Sequence, residues 1–319
     1  MPTRPKENSP ERGVSRRDVL KAGAAMALAT ALEACVPDDE FNEKLQVLSV
    51  TKESGSRMSN GSVPFITKLD DGRFRLYYCG SEEIFSAISS DGINFTQESG
   101  VRISPDSSNK FEKIVSDPTL VKLSDGKVRL YYKGADSNQG GPGQAIHKIF
   151  SAISSDGLNF QREGLRIDSE LSGDKGWASV PEAVKLPDGR VRLYFVTGDD
   201  SNGGIMTMTS ADGLNFEERK VLNIKGMVDP SIVSLPDGTY LLLTAVVNEQ
   251  LAPYRAKGLY LFTSKDGLNF ENEIPLLKES GAFDPAGILL NDNTLRVYYG
   301  QATPPPPAEI KSIVVNFDY

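Results

Sequence analysis

Short apolar runs recur along the chain, and each alternates apolar and polar positions with a period of two before it ends in a turn signal. The run from Val128 to Tyr132 is an example: successive side chains of an extended strand point to opposite sides. It follows Asp125-Gly126, a dipeptide typical of tight hairpin turns. β-Branched and aromatic residues dominate these runs, as strand propensity favours. No long stretch with a helical period follows residue 44, so the pattern predicts an all-β protein.

The runs are grouped into five copies of one unit, spaced at roughly 50 to 60 residues. Each unit begins with a triplet that ends in proline and contains three apolar runs. Four of the five units also contain an Asp-Gly-x-Asn-Phe turn. Periods near 50 with several strands per unit are typical of β-propellers. We therefore predict a five-bladed β-propeller with four-stranded antiparallel blades. In the second unit the predicted strands are 119–123, 128–132, 148–154 and 161–167.

The fifth unit lacks the Asp-Gly-x-Asn-Phe turn and an outer strand of its own, and the missing piece lies at the other end of the chain. Residues 50–58 mirror residues 95–103, which form the outer part of the first unit. We expect the N-terminal strand to complete the last blade and close the ring, which leaves only short, protected sheet edges. The propeller then spans residues 45–319.

Residues 1–34 are typical of an export signal. Arg16 and Arg17 resemble a twin-arginine motif, and the apolar segment that follows is too short to span a bilayer as a helix. Cys35 follows a sequence that resembles a lipobox, which predicts lipidation there and a lipid-anchored tether over residues 35–44. The alternative is a chance arginine pair before an alanine-rich helix. The predicted location is the periplasm or the cell surface, with membrane contact only through the lipid.

The charge of the chain argues against one class of partner, and its cysteine content argues against disulfide bonds. Loss of residues 1–34, with six basic and four acidic residues, changes the net charge from −8 to −10. An acidic protein with no basic run argues against nucleic acid as a partner. If Cys35 is lipidated, Cys79 has no intramolecular partner and no disulfide framework is expected.

Acidic residues recur at the start of the innermost strand, which lines the propeller axis, in four of the five blades. The residue before proline is Asp in three blades, at Asp117, Asp229 and Asp284, and Val in the other two. Two positions later, on the same side of a regular strand, the third blade alone has an acid, Glu182. Four carboxyl groups could therefore converge on the axis. The alternative is structural, since an aspartate at a strand start can accept backbone N–H bonds.

This pattern resembles the arabinanase, levansucrase and invertase superfamily of glycoside hydrolases (families 43 and 32). The resemblance implies a glycan substrate and axial carboxylates in catalysis. Carried over, Glu182 would be the acid, and Asp117 and Asp229 would be the base or nucleophile and its modulator. In that superfamily the first blade holds an essential aspartate, whereas this chain has Val63. Either the triad has moved around the ring or catalysis has been lost.

Three residues are candidate substrate-binding residues: Asp284 on the axis, and Trp177 and His147 on the rim at the same end. Trp177 could stack on a sugar or pack under a loop, and His147 could simply end a strand. Two glycine-rich loops, 135–147 and 198–204, could bind sugar hydroxyls or Ca²⁺, or could be connectors. One histidine cannot form a multi-histidine zinc site. Apart from Ca²⁺ at these loops, no metal or other cofactor is predicted.

Together these features predict an exported, monomeric propeller that processes an oligosaccharide or polysaccharide. The alternative from another class is a non-catalytic propeller that binds carbohydrate or protein.

Overall fold

The apolar runs form strands and the Asp-Gly dipeptides form the turns between them. The computed structural model describes residues 44–137, 144–171, 174–198, 204–302 and 308–319. These residues form five four-stranded antiparallel sheets, which confirms the predicted five-bladed β-propeller. The predicted export signal, Cys35 and all but the last residue of the predicted tether lie outside the described residues. None of the described residues belongs to a helix that could cross a membrane.

The strands are numbered in chain order, and each blade runs from the axis outward. Blade one contains β2 (Ser62–Lys68), β3 (Phe74–Gly80), β4 (Glu83–Ser89) and β5 (Thr96–Gln97). Blade two contains β6 (Ile114–Lys122), β7 (Val128–Ala135), β8 (His147–Ser154) and β9 (Gln161–Ile167). Blade three contains β10 (Ala178–Lys185), β11 (Val191–Thr197), β12 (Gly204–Ser210) and β13 (Glu217–Lys225). Blade four contains β14 (Val228–Ser234), β15 (Tyr240–Val246), β16 (Gly258–Ser264) and β17 (Glu271–Leu277). Blade five contains β18 (Ala282–Asn291), β19 (Thr294–Gln301), β20 (Glu309–Asp318) and, outermost, β1 (Gln46–Lys52).

The N-terminal strand closes the ring as predicted. β1 pairs antiparallel with β20, from Gln46 opposite Asp318 to Lys52 opposite Ile313. The mirrored arginines make equivalent contacts: Arg57 Nη1 donates to the Ile93 carbonyl oxygen (3.5 Å), and Arg102 Nη1 to that of Leu158 (2.9 Å). Residues 50–58 therefore take in blade five the position that residues 95–103 take in blade one.

The blades are joined by a repeated polar contact. In four blades, an arginine and a tyrosine from the second strand donate to backbone carbonyl oxygens in the Asp-Gly-x-Asn-Phe turn of the next blade. The tyrosine hydroxyl bonds are Tyr77 to Gly157 (2.8 Å), Tyr131 to Gly213 (2.7 Å), Tyr194 to Gly267 (2.8 Å) and Tyr298 to Gly92 (2.7 Å). The arginine Nη1 bonds are Arg75 to Asp156 (3.1 Å), Arg129 to Asp212 (2.8 Å), Arg192 to Asp266 (2.9 Å) and Arg296 to Asp91 (3.0 Å).

Blade four is the exception, with Leu241 and Leu243 at the arginine and tyrosine positions. Its neighbour, blade five, is the one without the acceptor turn. Both leucines are fully buried in an apolar cluster with β19, β20 and Leu45. The donor pair and the acceptor turn are thus missing at the same junction, where apolar packing replaces them.

Candidate active site

A bulge at the start of every innermost strand shapes the axis. In β6 the pairing with β7 shifts between Ser116 and Thr119, and equivalent shifts occur in the other four blades. The residue before proline has a left-handed backbone in each blade, with φ of 50° at Val63, 56° at Asp117, 49° at Val180, 58° at Asp229 and 48° at Asp284. Bulges of this kind redirect side chains, and here they replace the regular alternation that the sequence pattern predicts.

The side chains before proline line one cavity on the axis, at the face where the innermost strands begin; we call this the near face. The cavity has a volume of about 20 Å³, which is room for about one water molecule. It brings together Asp117, Asp229, Asp284 and Glu182. The first, second and fourth of these are buried (4%, 8% and 6% exposed), whereas Asp284 is partly exposed.

Asp117 is held by a cation and an amide. Its Oδ2 lies 2.9 Å from Lys133 Nζ and accepts the Val180 N–H at 3.2 Å. Burial disfavours the Lys133 ammonium, but the Asp117 carboxylate holds the pKa of Lys133 above its usual value. Asp117 and Lys133 therefore form a buried ion pair.

Asp229 and Asp284 form a second pair. Asp229 Oδ2 accepts the Asp284 N–H at 3.2 Å, and the two carboxyl groups are hydrogen-bonded to each other. Burial, with the nearby Asp117 charge, raises the pKa of Asp229 to about 6. Burial and the Asp229 charge raise the pKa of Asp284 well above its usual value. Both pKa values are raised, so the two carboxyl groups favour sharing one proton between them.

Glu182 lies deeper along the axis and is bonded to the blades on either side. Its Oε2 accepts the Thr119 hydroxyl of blade two at 2.9 Å, and its Oε1 accepts the Ile232 N–H of blade four at 2.9 Å. Thr119 in turn accepts the Ala183 N–H at 3.0 Å. On the far side of Glu182 is a second axial cavity of about 260 Å³, which Ser231 also lines.

Burial raises the pKa of Glu182 to about 7. A raised pKa is the direction that a general acid requires. Its largest cause is the loss of hydration on burial. Hydrogen bonds from Ile232, Thr119 and Ser231 partly offset it.

The two rim candidates, His147 and Trp177, lie together. Their rings stack with centroids 3.7 Å apart, and His147 Nδ1 lies 3.1 Å from Ser179 Oγ. His147 is buried, and burial together with the Lys133 ammonium lowers its pKa to about 4. His147 is therefore a neutral support for one face of the half-buried indole.

Sequence reasoning missed Lys133 and the role of Cys79. The positions equivalent to Lys133 in the other blades hold Cys79, Val196, Ala245 and Gly300. Lys133 is the only charged residue at this position of the repeat, and this difference could have identified it from the sequence. Cys79 Sγ accepts the Asp117 N–H at 3.2 Å. In the previous blade it thus replaces the aspartate carboxylate, which Val63 cannot supply.

Among the described residues, no group of three or more His, Cys, Asp or Glu side chains is arranged to hold a metal ion. The two glycine-rich loops that could supply Ca²⁺ ligands lie partly outside the described residues. Within the described part, Asp136 Oδ1 accepts the Ile146 N–H at 2.8 Å, so it braces its own loop.

The fold resembles that of several solved glycoside hydrolases. A thermostable family-43 glycoside hydrolase matches with a TM-score of 0.62 and 15% identity, over 84% of this chain and 92% of that one. A family-43 β-1,3-galactosidase solved with galactodeoxynojirimycin gives 0.62 and 13%, over 82% and 94%. An exo-β-1,3-galactanase from Phanerochaete chrysosporium, solved as a variant with β-1,3-galactotriose, gives 0.65 and 12%, over 83% and 64%.

No protein-family model and no curated protein matches the sequence. At these identities the similarity to the solved structures shows the fold alone. It supports the five-bladed propeller fold.

Proposed function

We propose that the protein hydrolyses a glycosidic bond at the near end of the propeller axis. The observation that carries this proposal is that one cavity holds both an aspartate paired with a lysine and two aspartates in contact with each other. Asp284 is partly exposed and belongs with Asp229 to a pair of raised pKa, while Asp117 is ion-paired with Lys133. Hydrolysis of a glycosidic bond requires this combination, a carboxylic acid and a carboxylate.

In this proposal Asp284 is the general acid. It protonates the glycosidic oxygen as the carbon–oxygen bond breaks, and the bonding electrons pass to that oxygen. Asp117 stabilises the positive charge that develops on the sugar and takes the proton of the attacking water. Asp229 holds the proton on Asp284 between turnovers, because its own negative charge disfavours ionisation of its neighbour.

Glu182, the acid implied by the superfamily resemblance, fits a different role better. Both of its oxygens accept hydrogen bonds from neighbouring blades. Its position in the innermost strand is two residues further from the near face than the positions of Asp117, Asp229 and Asp284. We therefore assign Glu182 to the joining of blades two, three and four. The stacked pair of His147 and Trp177 offers the exposed part of the indole to a sugar ring.

The test compares Asp284→Asn with wild type on oligosaccharides and on aryl glycosides. The screen begins with β-1,3-galacto-oligosaccharides, since two of the structural neighbours are named for β-1,3-galactosidic activity. Loss of a positioned general acid lowers the rate by about 10²- to 10⁴-fold. A nitrophenolate leaving group needs little protonation, so Asp284→Asn should retain much more activity on the nitrophenyl glycoside than on the oligosaccharide.

Asp292→Asn is the matched control, because Asp292 is an exposed residue of a turn in the same blade. It should leave both activities unchanged. If Asp284→Asn cleaves oligosaccharides as fast as wild type, Asp284 is not the acid. If Glu182→Gln alone abolishes cleavage of a well-folded protein, the acid is Glu182.

One observation favours the second candidate, a non-catalytic carbohydrate-binding propeller. The axial cavity holds about one water molecule, and Asp117, Asp229 and Glu182 all accept bonds from the blades themselves. If wild type binds a glycan on the near face but cleaves none of the substrates, this second function replaces the first.

We also propose that the chain is exported by the twin-arginine route and anchored through Cys35. The paired arginines, the short apolar segment and the cysteine that follows it support this proposal.

A further inference from the structure

Lys133 is the one cation among the described residues that contacts an axial aspartate. It extends from β7 toward Asp117 at 2.9 Å, and the two side chains are only 17% and 4% exposed. The equivalent positions of the other four blades hold uncharged residues, so the ring closes without a cation there. A buried lysine is costly to ionise, and a position that only needed to fill space would not require one.

We propose that Lys133 is a positioning residue that pairs with the Asp117 carboxylate and confines the single axial proton to the pair of Asp229 and Asp284. This proposal rests on the proposed function only for its catalytic consequence. The charge arrangement itself can be tested without any substrate.

The groups that face Lys133 come from every neighbouring element. They are Cys79 on β3, Asp117 on β6, His147 on β8, Asp229 on β14 and Asp284 on β18. Burial and the Asp117 charge raise the pKa of Cys79, so the thiol stays neutral. His147 is neutral as well, since its pKa is lowered to about 4. Lys133 is therefore the sole positive charge against three aspartates.

Three carboxylates in so small a cavity would repel one another strongly at low effective dielectric. One ammonium offsets one of them, and a shared proton offsets a second. Because Lys133 lies in direct contact with Asp117, the ammonium offsets the charge of that carboxylate. The proton remains on the more distant pair, where Asp284 reaches solvent.

His147 provides a reporter for this charge. It is the only histidine in the chain, so its ring resonances can be followed by NMR in tag-free protein without ambiguity. Since the Lys133 ammonium helps to lower the pKa of His147, Lys133→Met should raise that pKa from about 4 by one unit or more. Lys133→Arg keeps the charge and should leave the His147 titration near that of wild type.

The second readout is the titration of Asp229 and Asp284 in protein labelled with ¹³C at aspartate. The Lys133 charge lowers the pKa of both residues, so Lys133→Met should move both titrations to higher pH. Lys127→Met is the matched control. It removes an exposed lysine from the turn between β6 and β7, the strands that hold Asp117 and Lys133, and should change neither titration. Lys133→Gln, which can still donate a hydrogen bond to Asp117, serves if Lys133→Met does not fold.

With a cleaved substrate in hand, both limbs of the pH profile of kcat/KM should move to higher pH in Lys133→Met and return in Lys133→Arg. A folded Lys133→Met or Lys133→Gln protein with unchanged His147 and aspartate titrations would overturn the proposal. Shifted titrations in a protein that cleaves no glycan would uphold the role of Lys133 and remove the proposed function instead.

Discussion

Val63 and Val180 occupy the same position in the axial bulge as the three aspartates, so they show which features of the bulge do not depend on a carboxylate. Both adopt the left-handed backbone that a β-branched residue disfavours, at a cost of about 1–3 kcal/mol each. The bulge therefore forms without a carboxylate. Asp117 and Asp229 add an acceptor for the amide of the next blade, at Val180 and Asp284. Asp284 pairs with another acid, which is why we assign it the chemical role.

Glu182 should make the stability of the protein depend on pH. Its pKa is about 7 in the folded protein against 4.5 for the free side chain. Between these values the folded state holds a proton that the unfolded chain has released. The stability from this proton is fully present below pH 4.5 and is lost as the pH rises through about 7.

Glu182→Gln removes this dependence. Relative to the variant, wild type should lose about 3 kcal/mol of unfolding free energy between pH 4.5 and 7.5, at about 1.36 kcal/mol per pKa unit. Urea denaturation at three pH values measures the difference, with Glu217→Gln as the exposed control. Parallel stability curves for wild type and Glu182→Gln would contradict a buried, proton-holding Glu182.

At the scale of single elements, the bond from a tyrosine to the turn of the next blade is a polar contact that recurs in four blades. Tyr131→Phe should lower the unfolding free energy by about 1 kcal/mol or more, because the buried Gly213 carbonyl loses its donor. Tyr254→Phe is the control, since Tyr254 is 98% exposed. Equal stabilities of the two variants would show that this contact contributes nothing.

The same contact should fail where the acceptor turn is missing. Leu243→Tyr places a tyrosine at the equivalent position of blade four, opposite a blade without that turn. Leu243 Cδ1 already lies 2.6 Å from the position that a Cβ on Gly287 would take. The site therefore has no room for the larger tyrosine side chain. The variant should be destabilised by about 1–3 kcal/mol through overpacking, as measured by thermal and urea unfolding. A stabilised Leu243→Tyr would contradict apolar packing as the basis of this junction.

The strands were predictable because their period and their turns are local properties of the sequence. The outer strand of blade two, Gln161–Ile167, has the predicted bounds, whereas β6 begins at Ile114, five residues before the prediction. The bulges were not predictable, since counting alternate positions assumes a regular strand. The pair of Asp229 and Asp284 joins residues of different blades, and only the closed ring brings them into contact.

At the scale of the whole molecule, the predicted export signal can be tested by itself. Arg16→Lys with Arg17→Lys keeps the positive charge but removes the paired arginines of the transport motif. The double variant should remain inside the cell, as measured by fractionation and immunoblotting. Export at the wild-type level would contradict the twin-arginine assignment, and Lys21→Arg serves as a control that leaves the pair intact.

Closure of the ring depends on a segment of about fourteen residues at the start of the propeller. β1 covers the edge of β20, the Glu53 carboxylate bonds Arg296 at 2.8 and 2.9 Å, and Arg57 reaches the turn of blade one. Leu45 is buried in the apolar cluster that holds blades four and five together. Loss of this segment exposes the edge of β20 and removes the Glu53 carboxylate that pairs with Arg296.

We therefore expect a protein that begins at residue 44 to be monomeric and to melt like one that begins at residue 36. A protein that begins at residue 59 should melt at a lower temperature and aggregate, because an unpaired edge strand pairs with other copies. A synthetic peptide of residues 44–58 should restore the monomer by strand addition, and a scrambled peptide should not. Differential scanning calorimetry and light scattering measure both effects. A monomeric protein with unchanged melting after removal of residues 44–58 would show that the four remaining blades and an incomplete fifth hold the ring without β1.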